Sequence, residues 1–153
     1  MKIEINNLTK EKIDCKLLEK VVKIFGQVYK IHPVKSRHKA GSRGEFNGVK
    51  NKEISIAFVS DAEIKKINFT YRGINKATDV LSFAGEGEYL GEIIIDYNQI
   101  KRQAADFKNS AEQELIFVLV HGLLHLLGYD DKKIKEREDM IKRGEKFIKN
   151  LKI

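Results

Sequence analysis

The sequence has almost no cysteine or proline and no tryptophan. Its 153 residues include one cysteine, Cys15, and one proline, Pro33. A single cysteine excludes a disulfide within the chain and is typical of proteins in a reducing compartment. No apolar run reaches the roughly 20 residues that a membrane-spanning helix needs, and the N-terminus lacks the apolar core of a secretory signal. We therefore expect a cytoplasmic protein with no membrane segment.

Charged residues are abundant and unevenly distributed. The chain is 33% charged and 42% apolar, a balance and length typical of one globular domain, here residues 1–153. Residues 35–52 and residues 132–152 each carry a net charge of +5, whereas the whole chain carries +7. Concentrated basic charge indicates a polyanionic partner such as a nucleic acid. A solvated, lysine-rich surface is an equally good interpretation of the charge alone.

Hydrophobic periodicity predicts four strands and five helices along the chain. The predicted strands are 2–6, 54–59, the residues up to Phe83, and 92–96, and pairing the last two as a hairpin is a hypothesis. The predicted helices are 11–29, the segment after Asp61, 100–107, 111–127 and 132–151. Asp61 is expected to cap its helix, and Ser110 with Gln113 has the spacing of a capping box. Residues 31–52 are predicted to form a long basic loop.

The strongest chemical signal is a pair of histidines inside the longest apolar run of the chain. His121 and His125 are four residues apart, which places both on one face of a helix. Two imidazoles at this spacing can share one metal ion. Gly128 can end the helix in the left-handed conformation, so the chain can turn back and bring Asp130 or Asp131 to the same point. The pattern predicts a three-ligand site at the end of a buried helix.

The same spacing is found in metzincin-type proteases, whose third ligand falls ten residues after the first. Those enzymes carry a glutamate directly after the first histidine, where it acts as general base. Here that position is Gly122, which cannot accept a proton. The glycine argues against a protease.

A closer resemblance is to the YbeY family of metal-dependent endoribonucleases. The family motif, His-Gly-x-Leu-His-Leu-x-Gly-Tyr-Asp-His, matches residues 121–131 at every position except the last, which is Asp131. Asn68 and the segments 71–73 and 78–83 match a second block. A third block is Leu90-Gly91-Glu92-Ile93, in which the family usually has aspartate at the position of Glu92. The chain departs again at Ala84, where the family usually has proline.

The resemblance implies an α+β fold, in which a small mixed β-sheet packs with about five helices and the metal site lies at the end of a buried helix. It also implies a zinc-dependent endoribonuclease specific for single-stranded RNA. It implies a role in maturation of ribosomal RNA, at the 3′ end of 16S RNA, and in ribosome quality control, with the small ribosomal subunit and assembly factors as partners. His121 and His125 carry over as two of three zinc ligands. In one interpretation Asp131 is the third ligand of one zinc ion per chain, or of another, harder divalent ion. In the other, the substitution weakens metal binding and the protein acts by binding alone.

Arg72 matches the arginine that the family associates with RNA cleavage, and an arginine can bind a phosphodiester with two parallel hydrogen bonds. The alternative is a helix-end arginine that bonds backbone carbonyls. Four basic residues of the 31–52 segment are predicted to contact the RNA backbone, namely Lys35, Arg37, Lys39 and Arg43. Thr78 and Asp79 are expected to build a turn. Two other functions remain open, a non-catalytic ribosome assembly factor stabilised by its metal and a metzincin-like protease.

Overall fold

The computed structural model describes residues 1–29 and 52–152, which form four strands and five helices. The strands are β1 (Lys2–Asn7), β2 (Glu53–Val59), β3 (Val80–Ala84) and β4 (Tyr89–Asp96). The helices are α1 (Cys15–Val28), α2 (Asp61–Arg72), α3 (Tyr97–Asp106), α4 (Ala111–Leu126) and α5 (Ile134–Lys149). The predicted α+β class, with a small mixed sheet and about five helices, is confirmed.

The four strands form one sheet in the order β1-β2-β4-β3. Strands β1, β2 and β4 are parallel, and β3 runs antiparallel to β4, from the pair Val80–Ile95 to the pair Ala84–Gly91. The hypothesis of a hairpin between these two strands is therefore confirmed. The arrangement brings the residue before β3, Asp79, beside the carboxyl end of β4, where Asp96 donates its backbone N–H to the Asp79 carbonyl at 2.9 Å.

Both faces of the sheet are covered, because successive side chains of a strand point to opposite faces. Ile93 and Ile95 of β4 are fully buried in the main core, to which α1, α4 and α5 contribute. Ile94 lies on the other face, where it packs with Ile64 of α2 and Leu81 of β3. Helix α4 therefore packs on one face of the sheet, against β3 and β4, and α2 packs on the opposite face.

Side-chain caps set where α1, α2 and α3 begin. The prediction that Asp61 caps α2 is wrong, because the Ser60 hydroxyl accepts the backbone N–H of Glu63 at 3.3 Å and Asp61 is the first residue of the helix. The Asp61 carboxylate instead forms an ion pair with Arg102 of α3. Asp96 caps α3, and this helix therefore begins three residues before the predicted position. By the same mechanism, the Asp14 cap makes α1 begin at Cys15, four residues later than expected.

The predicted capping box of α4 is confirmed. The Ser110 hydroxyl accepts the backbone N–H of Gln113 at 3.1 Å, and the Gln113 side chain accepts the backbone N–H of Ser110 at 3.0 Å. The second half of the helix is buried, as the apolar run predicted. Within residues 1–29 and 52–152, no helix is long and apolar enough to cross a membrane.

Candidate metal centre

The candidate site lies where α4 ends. Gly128 has a φ of +89°, a left-handed conformation that glycine adopts without steric cost. Its N–H bonds the carbonyl of His125 at 2.9 Å, and the next N–H, of Tyr129, bonds the carbonyl of Leu124 at 3.2 Å. These two bonds are those of a Schellman motif, which stops the helix and reverses the chain. The reversal carries Asp131 back to the face of α4 that bears the histidines.

Three side chains converge at this point. The Nε2 atoms of His121 and His125 are 3.2 Å apart, and the Asp131 Oδ2 atom lies 3.5 Å from the first and 3.7 Å from the second. Ligands bound at roughly 2.0–2.2 Å to a tetrahedral zinc ion lie about 3.4 Å from one another. The group therefore fits one metal ion with an open fourth position.

A backbone contact orients the second histidine. The Nδ1 atom of His125 lies 3.1 Å from the carbonyl oxygen of Tyr129. In the neutral imidazole, Nδ1–H donates to this carbonyl, so that the lone pair is on Nε2 and faces His121 and Asp131. Histidine ligands of metals are commonly held in this way by a carbonyl or carboxylate at the other ring nitrogen. The turn that ends α4 therefore sets both the position of Asp131 and the tautomer of His125.

Electrostatics favour the neutral form of His121. Burial lowers its pKa, the neighbouring His125 lowers it further, and the Asp131 and Asp79 carboxylates oppose this effect. Neutral imidazole is the form that binds metals.

The structure also selects between the two candidate aspartates. Asp130 is turned away from the histidines, since its carboxylate accepts the backbone N–H of Asp131 at 2.8 Å and lies 3.4 Å from the Lys132 ammonium. The backbone contact with Asp131 and the proximity of Lys132 lower the pKa of Asp130. Asp131 is the residue that reaches the histidine pair.

Two of these side chains, His121 and Asp131, line a cleft of about 290 Å³. The cleft is also lined by residues of α2, α3, α4 and β3 and of the segment before β3, including Arg72, Asp79, Gln103 and Glu114. Arg72 is thus brought to the same cleft as the candidate metal ligands, although 49 positions separate it from His121.

Arg72 is the last residue of α2 and its side chain is exposed. Gly73, with a φ of +70°, ends the helix, and the buried Asn68 donates its side-chain amide to the Lys76 carbonyl at 2.8 Å. These contacts hold the loop that follows α2. Within the described part of the chain, the Arg72 guanidinium makes no hydrogen bond to a helix-end carbonyl or to any other group. The described contacts therefore do not favour the purely structural role.

Comparison with known proteins agrees with this geometry. The profile of the family described as "Endoribonuclease YbeY" matches residues 4–152. The chain belongs to the YbeY family. The members of this family are named endoribonucleases, which are hydrolases that cut RNA internally.

Two curated relatives and one solved structure illustrate the likeness. The Endoribonuclease YbeY of Roseiflexus castenholzii is 45% identical over 92 residues, which cover 53% of this chain and 58% of that protein. The Endoribonuclease YbeY of Shouchella clausii is 38% identical over 114 residues, which cover 64% and 71%. The solution structure of TM1509 from Thermotoga maritima superposes with a TM-score of 0.60 at 27% identity, covering 96% of this chain and 87% of that one.

The position after the first histidine distinguishes this YbeY chain from a metzincin-type protease. Gly122 faces the sheet, where an added Cβ would lie 3.1 Å from the Ser82 hydroxyl and 3.2 Å from the Ile93 side chain. Contacts this short require the neighbours to shift. The close approach of α4 to β3 and β4 is therefore fitted to a glycine, and a side chain such as the glutamate of a protease would have to displace Ser82 and Ile93.

Two residues of the cleft were not predicted from the sequence. Gln103 of α3 donates its side-chain amide to the Asp79 carboxylate at 3.1 Å and to the Glu114 carboxylate at 3.4 Å. Glu114 precedes His121 by seven residues, a spacing that places both on one face of α4. This spacing is the feature of the sequence from which the position of Glu114 near the metal group could have been predicted. Nothing in the sequence places Gln103 in the cleft, because its partners come from other elements.

Two further predictions concern residues outside the metal group. Asp79 lies between α2 and β3, as expected of a turn residue, and its side chain also lines the cleft. The neighbouring strand β3 carries Ser82, whose buried hydroxyl has no hydrogen-bond partner in the part of the chain that the structure describes. The predicted RNA contacts Lys35, Arg37, Lys39 and Arg43 lie outside the described residues.

Proposed function

We propose that this chain is a metal-dependent endoribonuclease that cuts single-stranded ribosomal RNA. The proposed task is maturation of the 3′ end of 16S RNA, together with ribosome quality control, in the cytoplasm and in contact with the small subunit and its assembly factors. The observation that carries the proposal is the convergence of His121, His125 and Asp131, two of which line the same cleft as Arg72. The names of the relatives support the choice of RNA as substrate.

Four side chains have a defined role in the proposed reaction. His121, His125 and Asp131 hold a zinc ion, or another divalent ion, which supplies Lewis-acid activation when bound. Arg72 donates two parallel hydrogen bonds to the oxygens of the scissile phosphate and stabilises the charge that builds there. Within the described residues the Arg72 guanidinium forms no hydrogen bond or ion pair, so it breaks none of the described contacts when it binds the phosphate.

Other surfaces near the cleft suit single-stranded RNA. Tyr71, next to Arg72, is 69% exposed, and its ring packs against Phe83 with centroids 5.1 Å apart. An exposed ring fixed from one side can stack on an unpaired base. The basic charge of α5 and its flanks, nine basic against four acidic residues in 132–152, suits the phosphate backbone and makes binding salt-sensitive.

The test compares cleavage of ribosomal RNA by the wild type and by His121→Ala, prepared identically, with the bound metal of each quantified. We expect the wild type to hold about one metal ion per chain and to cut, whereas the variant loses both properties. Equal cutting by both preparations would identify a contaminating nuclease and contradict the proposal. A wild type that binds metal and unfolds without it, but cuts no RNA, would favour the metal-stabilised binding factor.

A further inference from the structure

The cleft contains a carboxylate that the proposed function does not yet use. In the described part of the chain, three carboxylates line it, those of Asp79, Glu114 and Asp131. Asp131 belongs to the candidate metal group. Glu114 is only 5% exposed, and its two oxygens accept amide hydrogens from Gln103 at 3.4 Å and from Asn109 at 3.3 Å. Asp79 alone is both partly exposed and outside the metal group.

The Asp79 carboxylate is held in place but keeps capacity to accept a proton. Its Oδ1 atom accepts the Thr78 hydroxyl at 3.2 Å, and its Oδ2 atom accepts the Gln103 amide at 3.1 Å. Each carboxylate oxygen has two lone pairs, so each keeps one free. Within residues 1–29 and 52–152, Asp79 forms no ion pair or hydrogen bond with either histidine, and it is therefore not a further metal ligand in this structure.

The reaction needs such a group, because the position that supplies the general base in metzincin-type proteases is Gly122 and faces the sheet. We infer that Asp79 is the proton acceptor of the cleft and that Gln103, held by Glu114, is the residue that positions it. The inference rests on the proposed function and extends it to a further catalytic residue. The cleft places Asp79 together with Arg72 and His121, as a base acting beside a bound phosphate requires.

The proton transfer is one part of a balanced hydrolysis. The oxygen of a water molecule forms a bond to phosphorus while one phosphate ester bond breaks. Asp79 takes the proton that this water loses and later releases it to solvent, and the leaving ribose oxygen takes up one proton from solvent. The products are one phosphate monoester end and one hydroxyl end, with no change in oxidation state.

A chain of amides orients the base. Gln99 donates its side-chain amide to the Gln103 side-chain oxygen at 3.2 Å, so the Gln103 amide hydrogens point toward the two carboxylates. Glu114 accepts one contact from this amide and another from Asn109. A buried carboxylate needs such donors. Glu114 therefore fixes Gln103, and Gln103 limits the orientations that Asp79 can adopt.

The first test is Asp79→Asn, which keeps the size of the side chain and its acceptor for Gln103 but removes the base. We expect kcat for RNA cleavage to fall by at least about 100-fold, whereas KM, bound metal and unfolding temperature stay at the wild-type values. Asp106→Asn, the same change at an exposed position of α3 away from the cleft, is the control and should match the wild type. A kcat within about threefold of wild type, or a loss of kcat that follows loss of metal, would overturn the inference.

The second test separates proton transfer from shape. Asp79→Gly removes the side chain, and added formate can then act as a replacement base. We expect kcat to rise with formate concentration in Asp79→Gly but not in the wild type, at concentrations that leave the bound metal unchanged. If formate does not raise kcat of Asp79→Gly while the metal stays bound, Asp79 is not the residue that accepts the proton.

The third test addresses Gln103. Gln103→Met keeps the length of the side chain but removes both amide contacts, and we expect a kcat about tenfold lower with unchanged KM and bound metal. A change in KM alone would contradict a positioning role. The wild type and His121→Ala accompany every series. If the wild type itself cuts no RNA, the proposed function fails and the inference fails with it, whereas failure of the Asp79 series beside an active wild type overturns the inference only.

Discussion

Replacement of Arg72 gives the most direct test of how the cleft handles a phosphate. The residue ends α2, its side chain is exposed, and within the described residues it makes no side-chain hydrogen bond or ion pair. Surface substitutions away from such contacts usually change the free energy of unfolding by no more than about 0.5 kcal/mol. Arg72→Ala is therefore expected to leave stability and bound metal unchanged, so that any loss of activity can be assigned to the reaction.

The expected loss follows from the bonds that a guanidinium makes to a phosphate. A hydrogen bond to a charged group contributes roughly 1.5–3 kcal/mol, and two parallel bonds give about 3 kcal/mol or more. At about 1.4 kcal/mol per factor of ten, Arg72→Ala should lower kcat/KM by at least about 100-fold. Arg72→Lys keeps the charge but not the planar fork, and we expect it to lose about one bond, or roughly tenfold.

The assay is steady-state cleavage of a single-stranded RNA oligonucleotide, with metal content and unfolding temperature measured on the same preparations. Lys20→Ala, which removes an exposed cation of α1 outside both the cleft and the basic segment 132–152, controls for the loss of one positive charge. Equal activity of the wild type and Arg72→Ala would refute the role of Arg72 in cleavage. Loss of metal or of the fold in that variant would instead assign Arg72 a structural role.

Three further substitutions test other contacts. Asp131→His restores the third histidine of the family motif and should shift metal preference toward zinc and away from harder ions; the same metal content and pH dependence in both proteins would contradict this. Burial, and next the neighbouring Asp61 carboxyl, raise the pKa of Asp96 from 3.8 to about 6. The folded state therefore binds this proton more tightly than the unfolded chain, and stability falls as pH rises through that interval. Asp96→Asn should have a higher free energy of unfolding in urea than the wild type at pH 8, and this difference should shrink toward pH 4. A difference that stays constant between pH 4 and pH 8 would contradict the prediction. Ser82→Ala removes a buried hydroxyl without a described partner and should raise the free energy of unfolding by about 1 kcal/mol with activity unchanged; a destabilised variant would show that the hydroxyl is satisfied.

The parts of the site that could be predicted from the sequence depend on short-range chemistry. Ser110 and Gln113 are three residues apart, and the box that they form involves no other element. The spacing of His121 and His125 fixes their common face in any helix, and Gly128 marks the end of that helix. The group of three side chains could therefore be predicted from the sequence. That these side chains bind a metal, and that the chain is a single domain, stay predictions.

Two of the errors arose where a distant partner decides between local options. Ser60 and Asp61 are both good caps, and the choice between them depends on Arg102, 41 positions away, which pairs with the Asp61 carboxylate. Gln103 was missed for a similar reason, because its partners Asp79 and Glu114 lie on other elements. A single sequence without structure gives no measure of these distances.

Helix α3 connects these two cases. One side of it binds the first residue of α2 through the Arg102–Asp61 pair, and the next residue, Gln103, contacts Asp79 and Glu114 in the cleft. Asp96, buried at the carboxyl end of β4, begins the helix and lies 4.0 Å from the Arg102 guanidinium. Polar contacts of α3 therefore fix α2, which carries Arg72, relative to α4, which carries the histidines. Each contact contributes little to the stability of the whole protein, since the apolar core is formed mainly by the sheet with α1, α4 and α5. Substitutions of Arg102 or Gln103, whose side chains lie outside the apolar core, should consequently reduce activity well before they reduce stability.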